Sequence, residues 1–169
     1  MRTNAVERDT MEHLLALLTR SNEIACRIAL AHGLRIGDVL RLRRWQVEQD
    51  SVTIREEKTG KRRRIRWTEL QRRMLLSVSG SVYVFEGRND PKKHRTRQAV
   101  WKDIKRASEA LRLKGCVGTH SMRKSFAVRK YAACGDMRKV KSLLNHSEEA
   151  VTMLYALAEC VESRKKDFN

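Results

Sequence analysis

Aromatic residues make up only 5% of this 169-residue chain, and Pro91 is its single proline. So few rings argue against a platform on which single-stranded nucleic acid could stack its bases. The four cysteines, Cys26, Cys116, Cys134 and Cys160, stand far apart, with no C-x-x-C pair and no histidine at a zinc-finger offset. That spacing favours reduced thiols in or near the core over a metal site. No apolar run reaches the length of a membrane span, and neither a lipidation signal nor a long basic amphipathic helix is present. Residues 1–10 are polar and mixed in charge, unlike a secretory leader. The expectation is a cytoplasmic protein with no membrane partner. Acidic residues are also short: 20 Asp and Glu face 37 Lys and Arg, a net charge of +17. So lopsided a balance repels itself in a compact fold and points to a polyanion, with duplex DNA held by its phosphates the first candidate.

The chain has the length of one ordinary domain and can bury a real core. Residues 1–9 read as a frayed leader, and Met11 to Leu18 carries leucines at helical spacing. Ser21-Asn22 is expected to cap a second helix that Gly33 stops. Arg35 then falls in a tight turn ahead of a short helix from Asp38 to Leu42, with Asp38 placed to orient its guanidinium. Arg41, Arg43 and Arg44 lack that setting and read as solvated or phosphate-facing charge. Ser51–Glu56 and Arg62–Trp67 alternate apolar and polar residues around Lys58-Thr59-Gly60-Lys61, which predicts a hairpin. Thr68 caps a helix to about Leu76, Ser81–Phe85 is a short strand or extended segment, and Glu86–Arg95 is an exposed basic loop. His94 in that loop reads as a surface residue facing DNA or idle. Thr96 starts a helix through Leu113, with Val100, Ile104, Ala107 and Leu111 inside and Lys102, Lys105 and Arg106 outside.

The stretch from Thr119 to Tyr155 organises the rest. His120 and Arg123 are three positions apart, which stacks them on one helical face. Stop and start signals follow at Cys134-Gly135-Asp136, at Asn145 and at Ser147, so His146 and Tyr155 belong to later segments. Two imidazoles, a guanidinium and a phenol can therefore converge from separate helices. A guanidinium forks onto two phosphate oxygens and keeps its charge at any working pH. A phenol, with an ordinary pKa near ~10, becomes a nucleophile only with cations and a base beside it.

His120-x-x-Arg123, Leu144-Asn145-His146 and Tyr155 together resemble the C-terminal signature of the tyrosine recombinases, also called the phage integrase family. His32-Gly33-Leu34-Arg35-Ile36-Gly37-Asp38-Val39-Leu40 resembles the first arginine box of that family, and Lys58-Thr59-Gly60-Lys61 its hairpin lysine. The ordered motifs cover roughly residues 10–160. Asn145 stands where the family commonly has glycine, and asparagine tolerates the left-handed turn that glycine would supply.

The resemblance implies an α+β fold, mainly α-helical, with a small antiparallel β-hairpin at one edge. It also implies an activity: site-specific recombination by cleaving and rejoining DNA through a 3′-phosphotyrosine. In that scheme Tyr155 attacks, Arg35 and Arg123 clamp the non-bridging oxygens with help from His146, His120 is the base and Lys58 the general acid. Lys61 stays open as the alternative acid. No cofactor and no metal is implied. Arg43, Arg44, Lys61, Lys92, Lys93, Arg95, Arg97 and Lys124 are candidate contacts to the DNA. Relatives act as a tetramer on DNA, so a monomer or weak dimer is expected off it, associated with the nucleoid.

One catalytic domain is expected over residues 1–169, with leader 1–9, core 10–158 and tail 159–169. The helical domain that most relatives carry at the N-terminal side is expected to be absent, which leaves an excised domain or a minimal recombinase. A nicking and closing enzyme of the type IB topoisomerase kind, and a non-catalytic DNA binder of the same descent, are the other readings.

Overall fold

The axis of the fold is a helix of small and branched apolar residues. The computed structural model describes residues 6–144. Asn145, His146, Tyr155, Cys160 and the tail 159–169 therefore lie outside the described residues. Helix α1 spans Arg8–Ala16 and α2 Arg20–His32. In α2, Ile24, Ala25, Cys26, Ile28 and Ala29 are fully buried. Small side chains on several faces let α1, α3 (Ile36–Leu40), α5 (Glu69–Leu76) and α7 (Thr119–Cys134) all pack against it.

Both ends of α2 are fixed by side chains far away in sequence. The cap is Thr19, two residues before the expected Ser21-Asn22, because Asp103 of α6 (Arg97–Ala110) sits there. Asp103 Oδ2 accepts from the Thr19 N–H (2.9 Å), Thr19 Oγ1 (2.9 Å) and Asn22 Nδ2 (2.7 Å). Its Oδ1 accepts from Arg106, and Asn22 Oδ1 accepts from Arg95 Nε at 2.6 Å. Burial alone would raise the Asp103 pKa; the bonds from Arg106, Asn22 and Thr19 outweigh it and hold the carboxyl at about 2. At the other end Gly33 stops the helix at φ +63°, with the Phe126 ring so close that a Cβ would lie 2.4 Å from its Cδ1.

Val6, in the expected leader, is tied to α7: its N–H donates to Ser125 Oγ (3.1 Å) while its carbonyl accepts from that hydroxyl (3.1 Å). Helix α3 starts two residues ahead of the expected Asp38. A further short helix, α4 (Arg44–Glu48), buries only Val47, too little apolar pattern to be seen in the sequence. The hairpin forms as expected: β1 (Ser51–Arg55) pairs antiparallel with β2 (Arg62–Arg66), with Val52 opposite Ile65 on the buried face. Ser81–Phe85 is an extended segment tied down by an isolated bridge from Tyr83 to Arg43. Thr68 caps α5, accepting from the Gln71 N–H at 3.2 Å.

Helix α6 ends at Ala110, short of Leu113, and Arg112 turns the chain at φ 50°. Leu111, expected on the buried stripe, becomes the cap and is half-buried. The break at Cys134-Gly135-Asp136 is where the sequence places it: Gly135 takes φ 63° and Asp136 caps α8 (Met137–Leu143), accepting from the Arg138 and Lys139 N–H groups. Phe126 and Ala127 pack with Val140 and Leu144 in a small second core. Cys26 is buried and Cys116 half-buried, but Cys134 is exposed, against the expectation of thiols in or near the core. No helix among the described residues is long and apolar enough to cross a membrane.

Candidate active site

Arg35, Lys58, His120 and Arg123 line one cavity of about 440 Å³. They reach it from three places. Arg35 occupies the cap position of α3, just past the stop of α2, Lys58 sits in the hairpin turn, and His120 and Arg123 lie on the first turns of α7. The sequence expectation brought these four together, and the fold does so. His146 and Tyr155 lie outside the described residues. Lys58 is among the lining residues and Lys61 is not. Arg97, read from sequence as a DNA contact, also lines the cavity. Its side chain lies over Gly37, where a Cβ would stand 3.2 Å from Arg97 Cδ.

Asp38 does not orient Arg35. Its Oδ1 accepts the Glu57 N–H at 3.0 Å, while Arg35 Nη1 donates to Glu56 Oε2 at 2.5 Å. Glu56 is 1% exposed, and Thr59 Oγ1 donates to the same oxygen at 3.1 Å. One buried carboxylate therefore joins Arg35 to the turn that carries Lys58. Arg35 Nη2 and Asp38 Oδ2 are buried with no hydrogen-bond partner among the described residues. Burial pushes the Asp38 carboxyl up from its ordinary range, against the pull of the Glu57 N–H.

Arg123 is held by main-chain oxygens. Its Nη1 donates to the Gly33 carbonyl (2.6 Å) and its Nη2 to the Leu144 carbonyl (2.8 Å). A guanidinium has five N–H bonds, and these two carbonyls take two of them. Arg129 Nη2 donates to the Leu30 carbonyl at 2.9 Å, and Arg63 Nη2 to that of His32. The carbonyl end of a helix carries partial negative charge, which lets three arginines gather there. Burial, with the nearby Arg35 charge, lowers the Arg123 pKa to about 10, so the group is still a cation at neutral pH.

The remaining candidate DNA contacts are scattered around the cavity and beyond it. Arg43 and Arg44 are exposed, the first over the Tyr83 ring at 5.4 Å and the second paired with Glu48. Lys61, Lys92 and Lys93 are exposed, and Lys124 is half-buried. Arg95 spends its Nε on Asn22, and His94 Nδ1 lies 2.9 Å from the Arg95 carbonyl, half-buried against Tyr83. Among the described residues no group of three or more His, Cys, Asp or Glu is placed to hold a metal ion. Sequence reasoning missed Glu56 and Arg63. Their signal was phase: in an alternating strand Glu56 shares the inward face with Val52 and Ile54, where a charge needs a partner.

Residues 4–160 match the sequence profile described as the Phage integrase family. The chain belongs to that family. It is 29% identical over 128 residues to the probable integrase/recombinase YoeC of Bacillus subtilis (strain 168), covering 73% of this chain and 70% of that one. It is 25% identical over 154 residues to the integrase of Escherichia phage P2, covering 91% of this chain but 43% of the phage protein. Among solved folds it resembles XerA recombinase with a TM-score of 0.71 at 18% identity, over 98% of this chain and 66% of that one. A lambda integrase dimer bound to a COC′ core site gives a TM-score of 0.73 at 16% identity, over 91% and 60%. The chain thus spans between 43% and 70% of the length of these relatives, and its fold is that of tyrosine recombinase catalytic domains.

Proposed function

We propose that this chain is a site-specific recombinase that cuts and rejoins duplex DNA through a 3′-phosphotyrosine. The observation that carries the reading is the convergence of Arg35, Arg123, Lys58 and His120 on one cavity, with the buried Arg35 Nη2 lacking a hydrogen-bond partner among the described residues. A buried N–H without an acceptor is costly, and a phosphate oxygen would supply one. Two guanidiniums and a lysine suit a phosphorus that passes through a five-coordinate state with added negative charge.

In this reading Tyr155 Oη attacks the scissile phosphorus in line. The new O–P bond forms as the bond to the 5′ oxygen breaks. The phenolic proton passes to His120, and Lys58 gives a proton to the departing 5′ oxygen. Arg35 and Arg123 hold the non-bridging oxygens, and His146 assists. The phosphotyrosyl bond keeps the phosphodiester energy, so a 5′ hydroxyl from a second strand reverses the step. Two such rounds within a tetramer on DNA exchange the strands.

A nicked suicide duplex tests the proposal, because loss of the short strand traps the covalent form. The expected result is a protein–DNA adduct that Tyr155→Phe abolishes and that forms without divalent metal. Duplex binding with no adduct under any condition would select the non-catalytic reading instead.

A further inference from the structure

The hairpin has a second face. Residues of β1 and β2 that point away from the core are Thr53, Arg55, Arg62, Arg64 and Arg66, all exposed. The register sets Arg55 directly opposite Arg62 and Thr53 opposite Arg64, with Arg66 at the far end opposite Ser51. Like charges facing each other across a hairpin destabilise it. Several arginines elsewhere are ion-paired: Arg20 with Glu23, Arg27 with Glu12, Arg44 with Glu48, Arg72 with Glu69. Among the described residues Arg55, Arg62 and Arg66 make no ion pair, and Arg64 donates to Ser51 Oγ from Nε (3.4 Å) and Nη2 (3.2 Å).

We infer that this arginine face is a second docking surface for duplex DNA, taking backbone phosphates outside the one bound in the cavity. The inference rests on the DNA reading above and adds residues to it. Alternate residues of a strand are about 6.6 Å apart, so Arg62, Arg64 and Arg66 form a straight row at close to the step between consecutive phosphates of one strand. The row begins beside the turn that carries Glu57 and Lys58 at the cavity and runs about 13 Å away from it. The face offers Ser, Thr and Arg and nothing apolar. It has no side chain to insert into a lipid surface or to form the dry centre of a protein interface. Charge with hydrogen-bonding capacity and no base-reading pattern matches backbone contact, which positions a duplex without selecting its sequence.

The salt dependence of duplex affinity tests this on the whole chain. Each phosphate contact contributes about 0.9 to the slope of log K against log salt. The triple variant Arg62→Gln, Arg64→Gln, Arg66→Gln is expected to lower the slope by two to three and to weaken binding at low salt by at least tenfold. Adduct formation on the nicked duplex at saturating DNA should stay within twofold of the parent. The matching triple Lys variant should keep most of the slope. An unchanged slope in the Gln variant overturns the proposal. So does an equal loss in the Lys variant, which would mean that packing and not charge was removed. Loss of binding to acidic phospholipid vesicles with duplex affinity intact would reassign the face to membranes and also overturn it. If the triple variant does not fold, the three single Gln variants read the same quantity, each lowering the slope by about 0.9. The slope decides the face whether or not the parent forms an adduct, so failure of the cleavage reading stays distinguishable.

Discussion

Arg35 Nη1 lies 2.5 Å from Glu56 Oε2, and that carboxylate is 1% exposed. Since Thr59 of the hairpin turn donates to the same oxygen, Glu56 fixes two parts of the cavity at once. Glu56→Ala is expected to slow adduct formation by about 10- to 100-fold at saturating DNA, the scale of a misplacement near 1 Å. Glu56→Gln keeps an acceptor and should fall between parent and Ala variant. Duplex affinity should change by less than about threefold, because most phosphate contacts lie elsewhere. Single-turnover kinetics beside a binding titration separate the two effects. An equal fall in affinity and rate would refute positioning.

Gly33 should tolerate no side chain. A Cβ there meets the Phe126 ring at 2.4 Å while the backbone stays at φ +63°. Gly33→Ala is expected to destabilise the protein by about 3 kcal/mol or more, strain and overpacking combined. Gly135 has the same φ but open space around it, so Gly135→Ala should lose only about 1 kcal/mol. Urea unfolding of the two variants side by side gives the comparison, and equal losses would contradict the steric account.

Asp103 should show itself in acid. Its carboxyl is held at about 2, below the ordinary 3.8, so its stabilisation is complete above 3.8 and is lost as pH falls toward 2. Asp103→Asn is expected to be less stable at pH 7 by about 2 kcal/mol, the scale of charge-assisted hydrogen bonds. It should also lose less than the parent between pH 4 and 2. Thermal melts across that range measure both, and parallel pH profiles would rule the carboxylate out as the source.

Thiol labelling should divide the cysteines. Burial pushes the Cys26 thiol up to about 12, and the residue is fully enclosed, whereas Cys134 is exposed. A thiolate-directed reagent at pH 8 is expected to modify Cys134 quickly and Cys26 only after unfolding. Peptide mapping after brief labelling reads the order, and early modification of Cys26 would mean that α2 is less enclosed than its packing indicates.

Much of this was readable before folding because it is local. Leucine spacing in α1, the Thr68 cap, the glycine stops at Gly33 and Gly135 and the alternation of the hairpin each depend on a few neighbouring residues. Arg35, Lys58, His120 and Arg123 were legible as a set through ordered motifs. What escaped depends on distant partners. Asp38 looked like the natural companion of Arg35 by proximity in sequence, yet the hairpin delivers Glu56 from 21 residues away. Thr19 caps α2 because Asp103 arrives from 84 residues away, which no local signal announces. Helix α4 has one buried residue and hence almost no pattern.

The arginines at the end of α2 have a consequence for how the cavity keeps its shape. Arg123 leans on the oxygens of Gly33 and Leu144, and such amide oxygens neither gain nor lose protons across the range in which proteins work. A guanidinium braced in this way cannot be loosened by a drift in acidity or by a rival carboxylate swinging aside. Unseating it requires moving the backbone at the end of one helix or the other.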